Sequence, residues 1–152
     1  MISRKFLATL ALGAAIALPA VANDDPAIGA RQGQFKLYIH NFGVLGGMAQ
    51  GRIEYDATMA QTAADNMFHV TRHDQSRLWP EGTDSESVEG TRALPAIWDD
   101  LDDFLAKFVA LQDAVEGLQL VAGDGLDTMR GGFGTVAQSC QACHEVYRAD
   151  AN

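Results

Sequence analysis

Apolar residues recur at helical intervals in four stretches of this 152-residue chain, and no convincing strand pattern is present. The first stretch runs from about Pro26 to Gln50, where Ile28, Phe35, Ile39, Phe42, Leu45 and Ala49 form one stripe. Pro26 suits a first helical turn, and Asp24 or Asp25 can cap it. Gly43, Gly46 and Gly47 each cost about 1 kcal/mol in an exposed helix, so a closely approaching neighbour helix is expected beside them. The second stretch starts at Asp56 as N-cap and reaches about Asp74, turning Met59, Ala63, Met67 and Val70 inward. The third begins near Pro95 and carries Ile97, Trp98, Leu101, Phe104, Leu105, Phe108, Val115 and Leu118. Gly123-Asp124-Gly125 separates it from the fourth, Leu126 to about Ala149, in which Leu126, Met129, Phe133, Val136 and Cys140 keep a three-four spacing. Short connections and one long crossover, Gln75 to Leu94, make this an all-α antiparallel four-helix bundle. A connection of that length is functional or disordered, and covering one edge of a cofactor would order it.

Residues 1–22 stand apart. Arg4 and Lys5, the apolar run Phe6 to Leu18, Pro19 and Ala20-Val21-Ala22 have the layout of a cleaved secretory signal peptide. The run is short for a bilayer span, the alternative being a retained anchor. Cleavage leaves residues 23–152 as one exported domain, with no membrane insertion. It removes two cations and no anion, moving the formal net charge from −9 to −11. Such a chain disfavours nucleic acid, acidic partners and anionic membranes. Asp99, Asp100, Asp102 and Asp103 open the third helix, where negative charge suits the dipole; they read as a solvated face or as a docking patch.

Both cysteines lie in Cys140-Gln141-Ala142-Cys143-His144, the C-x-x-C-H pattern of c-type haem attachment. Each thiol adds to one vinyl group, so two thioethers must leave one side of a short segment. On a helix, positions 140, 143, 144 and 147 share a face, which sets His144 beside the ring with a nitrogen for iron. A thioredoxin-type C-x-x-C precedes a helix in an α/β fold, and structural zinc needs a second ligand pair. A disulfide between positions 140 and 143 would be strained in a helix and would not require His144. The expected cofactor is therefore one covalent haem c per chain, near the C-terminal helix.

Four segments carry a resemblance. Arg31-Gln32, Tyr55-Asp56, Leu94-Pro95-Ala96-Ile97-Trp98 and the run from Cys140 to Arg148 resemble the class II cytochromes c, specifically cytochrome c′. The likeness covers residues 23–152, and that family is itself a standard example of the four-helix bundle. It implies that Cys140 and Cys143 hold the haem, that His144 is the proximal ligand and that Arg148 sets a cation beside it. Tyr147 would touch the ring from the same run. Arg31 and Gln32 would lie near the haem propionates, with Thr91 and Arg92; the alternative for Arg31 and Arg92 is an ordinary surface arginine.

The resemblance also places position 35 on the distal haem face, where low-spin relatives carry a Met. Here it is Phe35, whose ring has no lone pair for iron and makes the pocket apolar and crowded. The expectation is five-coordinate, high-spin iron open to NO and CO, in a Gram-negative periplasmic protein that scavenges or buffers NO and can transfer electrons. The alternative is a low-spin electron carrier whose acidic surface docks a basic periplasmic redox partner. Catalytic turnover is not expected, because no distal acid–base residue is evident near Phe35. A homodimer through the first two helices is expected. Met48, Met59 and Met67 read as packing, His69 and His73 as surface residues, and His40 as the edge of a stripe.

Overall fold

Aspartate side chains decide where three of the helices begin. In the computed structural model, which describes residues 25–150, Asp25 accepts the Ala27 amide at 2.8 Å at the head of α1, Pro26–Ala49. Asp56 does the same for Met59 at 2.7 Å, opening α2, Ala57–Thr71. That helix stops short of the expected Asp74, because the Asp74 carboxylate accepts the Ser76 amide at 2.8 Å and diverts the backbone into a turn.

The third predicted helix is two. A short α3, Ala96–Asp99, breaks at Asp100, where φ −141° and ψ 71° aim the carboxylate at the Asp103 amide, 3.1 Å away. That cap starts α4, Leu101–Gln119. One member of the aspartate run is thus a helix start and not only a partner for the dipole. The last helix, α5, spans Leu126–Tyr147 and ends before the expected Ala149, because Arg148 turns extended and bridges Ala93 in antiparallel fashion. The signal peptide expected over residues 1–22 lies outside the described residues. Among those residues no helix is long and apolar enough to cross a membrane.

Cross-helix contacts fix the topology. From α1 to α2, Asn66 donates to Asn41 at 3.1 Å and Tyr38 to the Val70 carbonyl at 3.3 Å. From α2 to α4, Gln61 donates to the Gln119 carbonyl at 2.9 Å, while Arg72 meets Glu116 at 2.6 Å. From α4 to α5, the Tyr147 hydroxyl donates to Asp103 at 2.6 Å, and Gly132 lies against Leu118. Phe42 of α1 stacks on Phe133 of α5 with centroids 4.4 Å apart, and Arg130 donates to the Ala49 carbonyl at 2.9 Å. In every pair one number rises as the other falls. The four long helices are antiparallel neighbours around a core of Leu45, Met48, Met67, Val115, Leu118, Met129 and Val136.

The inward face of α1 differs from the predicted stripe. Ile39 is 69% exposed, and Phe35, Phe42 and Ala49 are only half-buried, whereas Arg31, Gln34, Tyr38 and Asn41 are buried. Polar groups go inside here because each finds a partner there. Met59, also expected inward, is exposed, as are Leu101 and Leu105 of the third predicted stretch.

Of the three glycines late in α1, Gly46 faces a neighbouring helix, since an added Cβ would lie 3.1 Å from the Phe133 ring. Gly47 faces Ile53 in the following turn, and nothing lies near Gly43. Gly132 is the tighter case: a Cβ there would sit 3.0 Å from the Leu118 Cα, which is backbone and cannot yield. Gly132→Ala is expected to cost about 1–3 kcal/mol by overpacking. Gly134→Ala, with open space around it, is expected to gain up to about 1 kcal/mol. Urea unfolding of the two variants against the parent checks the contrast.

Candidate haem site

At one end of the bundle the head of α1, the tail of α2, the head of α4 and the tail of α5 converge under the connection between α2 and α3. Cys140, Cys143 and His144 lie there on α5, all half-buried, with the buried Tyr147 one turn on. Cys140 packs against the main core, which includes Tyr38. Cys143 packs against a second cluster of Ala93, Ile97, Phe104, Phe108 and Tyr147, with Trp79 beside it. Phe35 packs against both clusters and presents edges to Tyr38, at 5.7 Å between centroids, and to Trp79, at 6.5 Å. It therefore stands between the surroundings of the two thiols.

Burial pushes the Cys143 thiol up to about 11 and raises Cys140 as well, so both sulfurs are protonated near neutral pH. Burial first, then Arg148 and Arg92, lowers His144, which keeps its imidazole neutral with a lone pair to give. Two neutral thiols and a neutral imidazole on one helix face, against an apolar aromatic cluster, form a donor set that fits haem c. Among the described residues no group of three or more His, Cys, Asp or Glu side chains is placed to hold a metal ion directly.

Arg31 is no surface arginine: it is 2% exposed, which excludes that alternative for it. Its Nη1 donates to Thr83 Oγ1 at 2.8 Å and to the Leu78 carbonyl at 3.4 Å. Its Nη2 donates to the Thr83 carbonyl and to Thr91 Oγ1, the latter at 2.8 Å, and the guanidinium lies 4.8 Å over the Trp79 ring. Burial lowers its pKa, partly opposed by Asp25 and Asp84, yet no carboxylate lies within ion-pair distance among the described residues. A buried cation needs such a ring of acceptors to offset its lost hydration. Gln32 adds a bond to the Gly90 carbonyl at 2.7 Å, and the Trp98 indole donates to the Trp79 carbonyl at 3.1 Å. The long connection is ordered because it wraps Arg31.

Thr91 and Arg92 part company. Thr91 turns to Arg31, while the exposed Arg92 donates Nε at 2.8 Å to the Ala149 carbonyl, just past α5. Ala149 N–H donates back to the Arg92 carbonyl at 2.9 Å, and Leu94 N–H donates to the Tyr147 carbonyl at 3.0 Å. Arg148, exposed, sits one turn after His144 with its amide on the His144 carbonyl at 3.2 Å.

Sequence reasoning missed Tyr38, Trp79, Thr83 and the Asp103 partner of Tyr147. Tyr38 lies seven residues after Arg31, two turns along the same face, and that spacing is a signal that could have found it. Trp79 and Thr83 lie in the connection, where no local periodicity marks them. Burial raises Tyr38 to about 12, and the bond to Asp103 raises Tyr147 to about 12. Unfolded tyrosine loses its proton near pH 10. The folded state therefore binds more protons above that point, and stability present below pH 10 is lost as pH rises toward 12. Phenolate absorbance of the native protein is expected to lag behind that of the urea-unfolded chain across this window.

Comparison with known proteins gives a consistent result. Residues 26–148 match the family model described as Cytochrome C′. A cytochrome c′ of Cereibacter sphaeroides is 39% identical over 145 residues, covering 95% of this chain and 97% of the relative. A solved cytochrome c′ from Rhodobacter Spheriodes superposes with a TM-score of 0.82 at 37% identity, over 86% of this chain and 100% of that one. A nitric oxide complex of a variant cytochrome c prime from Alcaligenes xylosoxidans superposes with a TM-score of 0.69 at 30% identity, over 82% of this chain and 94% of that one.

Proposed function

The chain belongs to the cytochrome c′ family of c-type haem proteins, and on that premise we propose that it binds small uncharged gases, NO and CO, and scavenges or buffers NO. In this reading one haem c is held covalently by Cys140 and Cys143, with His144 on the iron. When bound, the haem would supply an iron able to take a small diatomic ligand. Everything else is set by the chain. His144, kept neutral, offers its nitrogen from the α5 side. Phe35 offers only carbon from the α1 side, so it donates to no metal and displaces water.

Phe35 is the observation that carries the proposal, since it packs against the surroundings of both thiols. The Tyr38 hydroxyl beside it is already engaged on both sides. Tyr38 donates to the Val70 carbonyl and accepts from Gln34, whose own carbonyl accepts from Gln75 at 3.4 Å. A phenyl face beside an engaged Tyr38 hydroxyl favours NO and CO over O₂, and a phenyl ring relays no proton, which supports a binding protein rather than an enzyme. The nitric oxide complex of the Alcaligenes relative supports the same ligand class.

The proposal includes export through residues 1–22 to a Gram-negative periplasm, electron exchange with a partner there, and a homodimer. A shallow groove between α1 and α2, lined by His40, Val44, Met59 and Ala63, supports self-association along those helices. Absorption spectra of the purified holoprotein, ferric and dithionite-reduced, with and without CO, test the central claim. High-spin bands that shift on adding CO are expected. A sharp low-spin reduced spectrum indifferent to CO overturns the open site and leaves the electron-carrier reading.

A further inference from the structure

Phe35 does not stand alone on its side of the site. Its ring meets Tyr38 at 5.7 Å and Trp79 at 6.5 Å between centroids, edge to face in both cases. Tyr38 belongs to the core against which Cys140 packs, and Trp79 to the surroundings of Cys143. Trp79 is itself pinned. The Phe104 centroid lies 4.6 Å from its own, the Arg31 guanidinium sits 4.8 Å over its ring, and the Trp98 indole donates to its carbonyl at 3.1 Å.

A line of hydrogen bonds also ties the Tyr38 and Trp79 rings to each other. The Trp79 indole donates to Gln75 Oε1 at 3.4 Å, and Gln75 Nε2 donates to Gln34 Oε1 at 3.4 Å. Gln34 Nε2 donates to the Tyr38 hydroxyl, which donates in turn to the Val70 carbonyl at 3.3 Å. The ends of this line fix the direction of every link. An indole can only donate and a carbonyl can only accept, so both amides turn oxygen toward Trp79 and nitrogen toward Val70. Gln75 Nε2 has a further acceptor in the His73 carbonyl at 2.8 Å. The bonds at 3.4 Å are long, so the line holds by continuity and burial rather than by any single link. Gln34, Tyr38 and Gln75 are all buried, where a severed link leaves a polar group without its partner. The line runs from the connection through α1 to the tail of α2, and it joins the rings against which Phe35 leans.

We infer that Gln34 and Gln75 are positioning residues for gas entry: by tying Tyr38 to Trp79 they hold Phe35 in place and set how readily it swings aside for NO or CO. In a close-packed interior a ring moves only when its neighbours yield, so the stiffness of Tyr38 and Trp79 becomes the stiffness of Phe35. Both amides act through Phe35 and not on the ligand itself. The inference rests on the gas-binding reading above and assigns the rate of entry to side chains behind the ring.

The test is the rate at which dithionite-reduced holoprotein takes up CO, read by stopped-flow absorbance. Gln75→Leu is close to glutamine in bulk and makes none of its hydrogen bonds; it is expected to speed CO uptake about fivefold. Gln34→Leu cuts the line from the α1 side and is expected to do the same, so the result does not hang on the folding of one variant. Phe35→Ala supplies the decisive arm. With the ring gone, adding Gln75→Leu is expected to leave the rate where Phe35→Ala alone sets it, whereas a merely loosened fold speeds both backgrounds alike. Equal acceleration in the two backgrounds overturns the proposal, as does an unchanged rate in both leucine variants; either result leaves gas binding intact. A parent whose ferrous spectrum ignores CO overturns the gas-binding reading, and the proposal falls with it.

Discussion

Replacing Phe35 with Met is expected to turn the iron six-coordinate and low-spin, and to slow CO binding at least about tenfold, a barrier change of about 1.4 kcal/mol. Methionine is close to phenylalanine in bulk and is a better helix former, so α1 tolerates it. What changes is chemistry: a flexible side chain ending near a thioether replaces a ring of carbon and hydrogen. Phe35 is half-buried between the surroundings of Cys140 and Cys143, so the new sulfur has a short path to the face opposite His144. Ferric and ferrous absorption spectra read the result directly. An unchanged spectrum means that position 35 does not face the iron. Phe35→Ala supplies a check independent of sulfur geometry, since removing the ring is expected to speed CO entry.

Arg31→Met is expected to be the most damaging single substitution at the α1 end of the site. It removes four hydrogen bonds from a buried guanidinium and leaves the carbonyls of Leu78 and Thr83 without that donor. Charge-assisted bonds of this kind are worth more than neutral ones, and the expected loss is about 2–4 kcal/mol, partly offset by regaining the hydration of the cation's acceptors. That is a large share of an ordinary domain's stability. Arg31→Lys rescues only part of it, because an ammonium has three donors on one atom and cannot span Thr83 and Thr91 as a fork does. Urea unfolding gives the magnitude. Limited proteolysis gives the location, with new cuts expected between residues 75 and 94; a connection as resistant as the parent's would sink the claim that Arg31 organises it.

Features encoded within one helical turn were legible in the sequence. The C-x-x-C-H face, the Asp25 and Asp56 caps and the three-four spacing of α5 each depend only on neighbours along the chain. Features decided across the fold were not. The inward face of α1 is set by Arg31 reaching Thr83 and Thr91, partners that lie 52 and 60 positions away, so hydropathy alone favours Ile39 and is overruled. The break at Asp100 was hidden for the opposite reason: four neighbouring aspartates offer equivalent caps, and only packing selects one. Arg148 reads as one more helical residue until Ala93 is known to lie beside it.

Half-buried thiols on a docked helix also impose an order of events on the making of this protein. Sulfur held protonated among Tyr38, Phe104 and Tyr147 is a poor reactant, so on the proposed attachment thioether formation is expected before α5 settles into place. The composition of α5 keeps that interval open. Gly131, Gly132 and Gly134 each cost about 1 kcal/mol of helix propensity, and Gly125 supplies no capping side chain. A segment so reluctant to coil alone waits for its neighbours. The Arg92 side chain and the Ala149 carbonyl, 57 positions apart, can meet only once α5 is docked, so their bond marks the end of that interval.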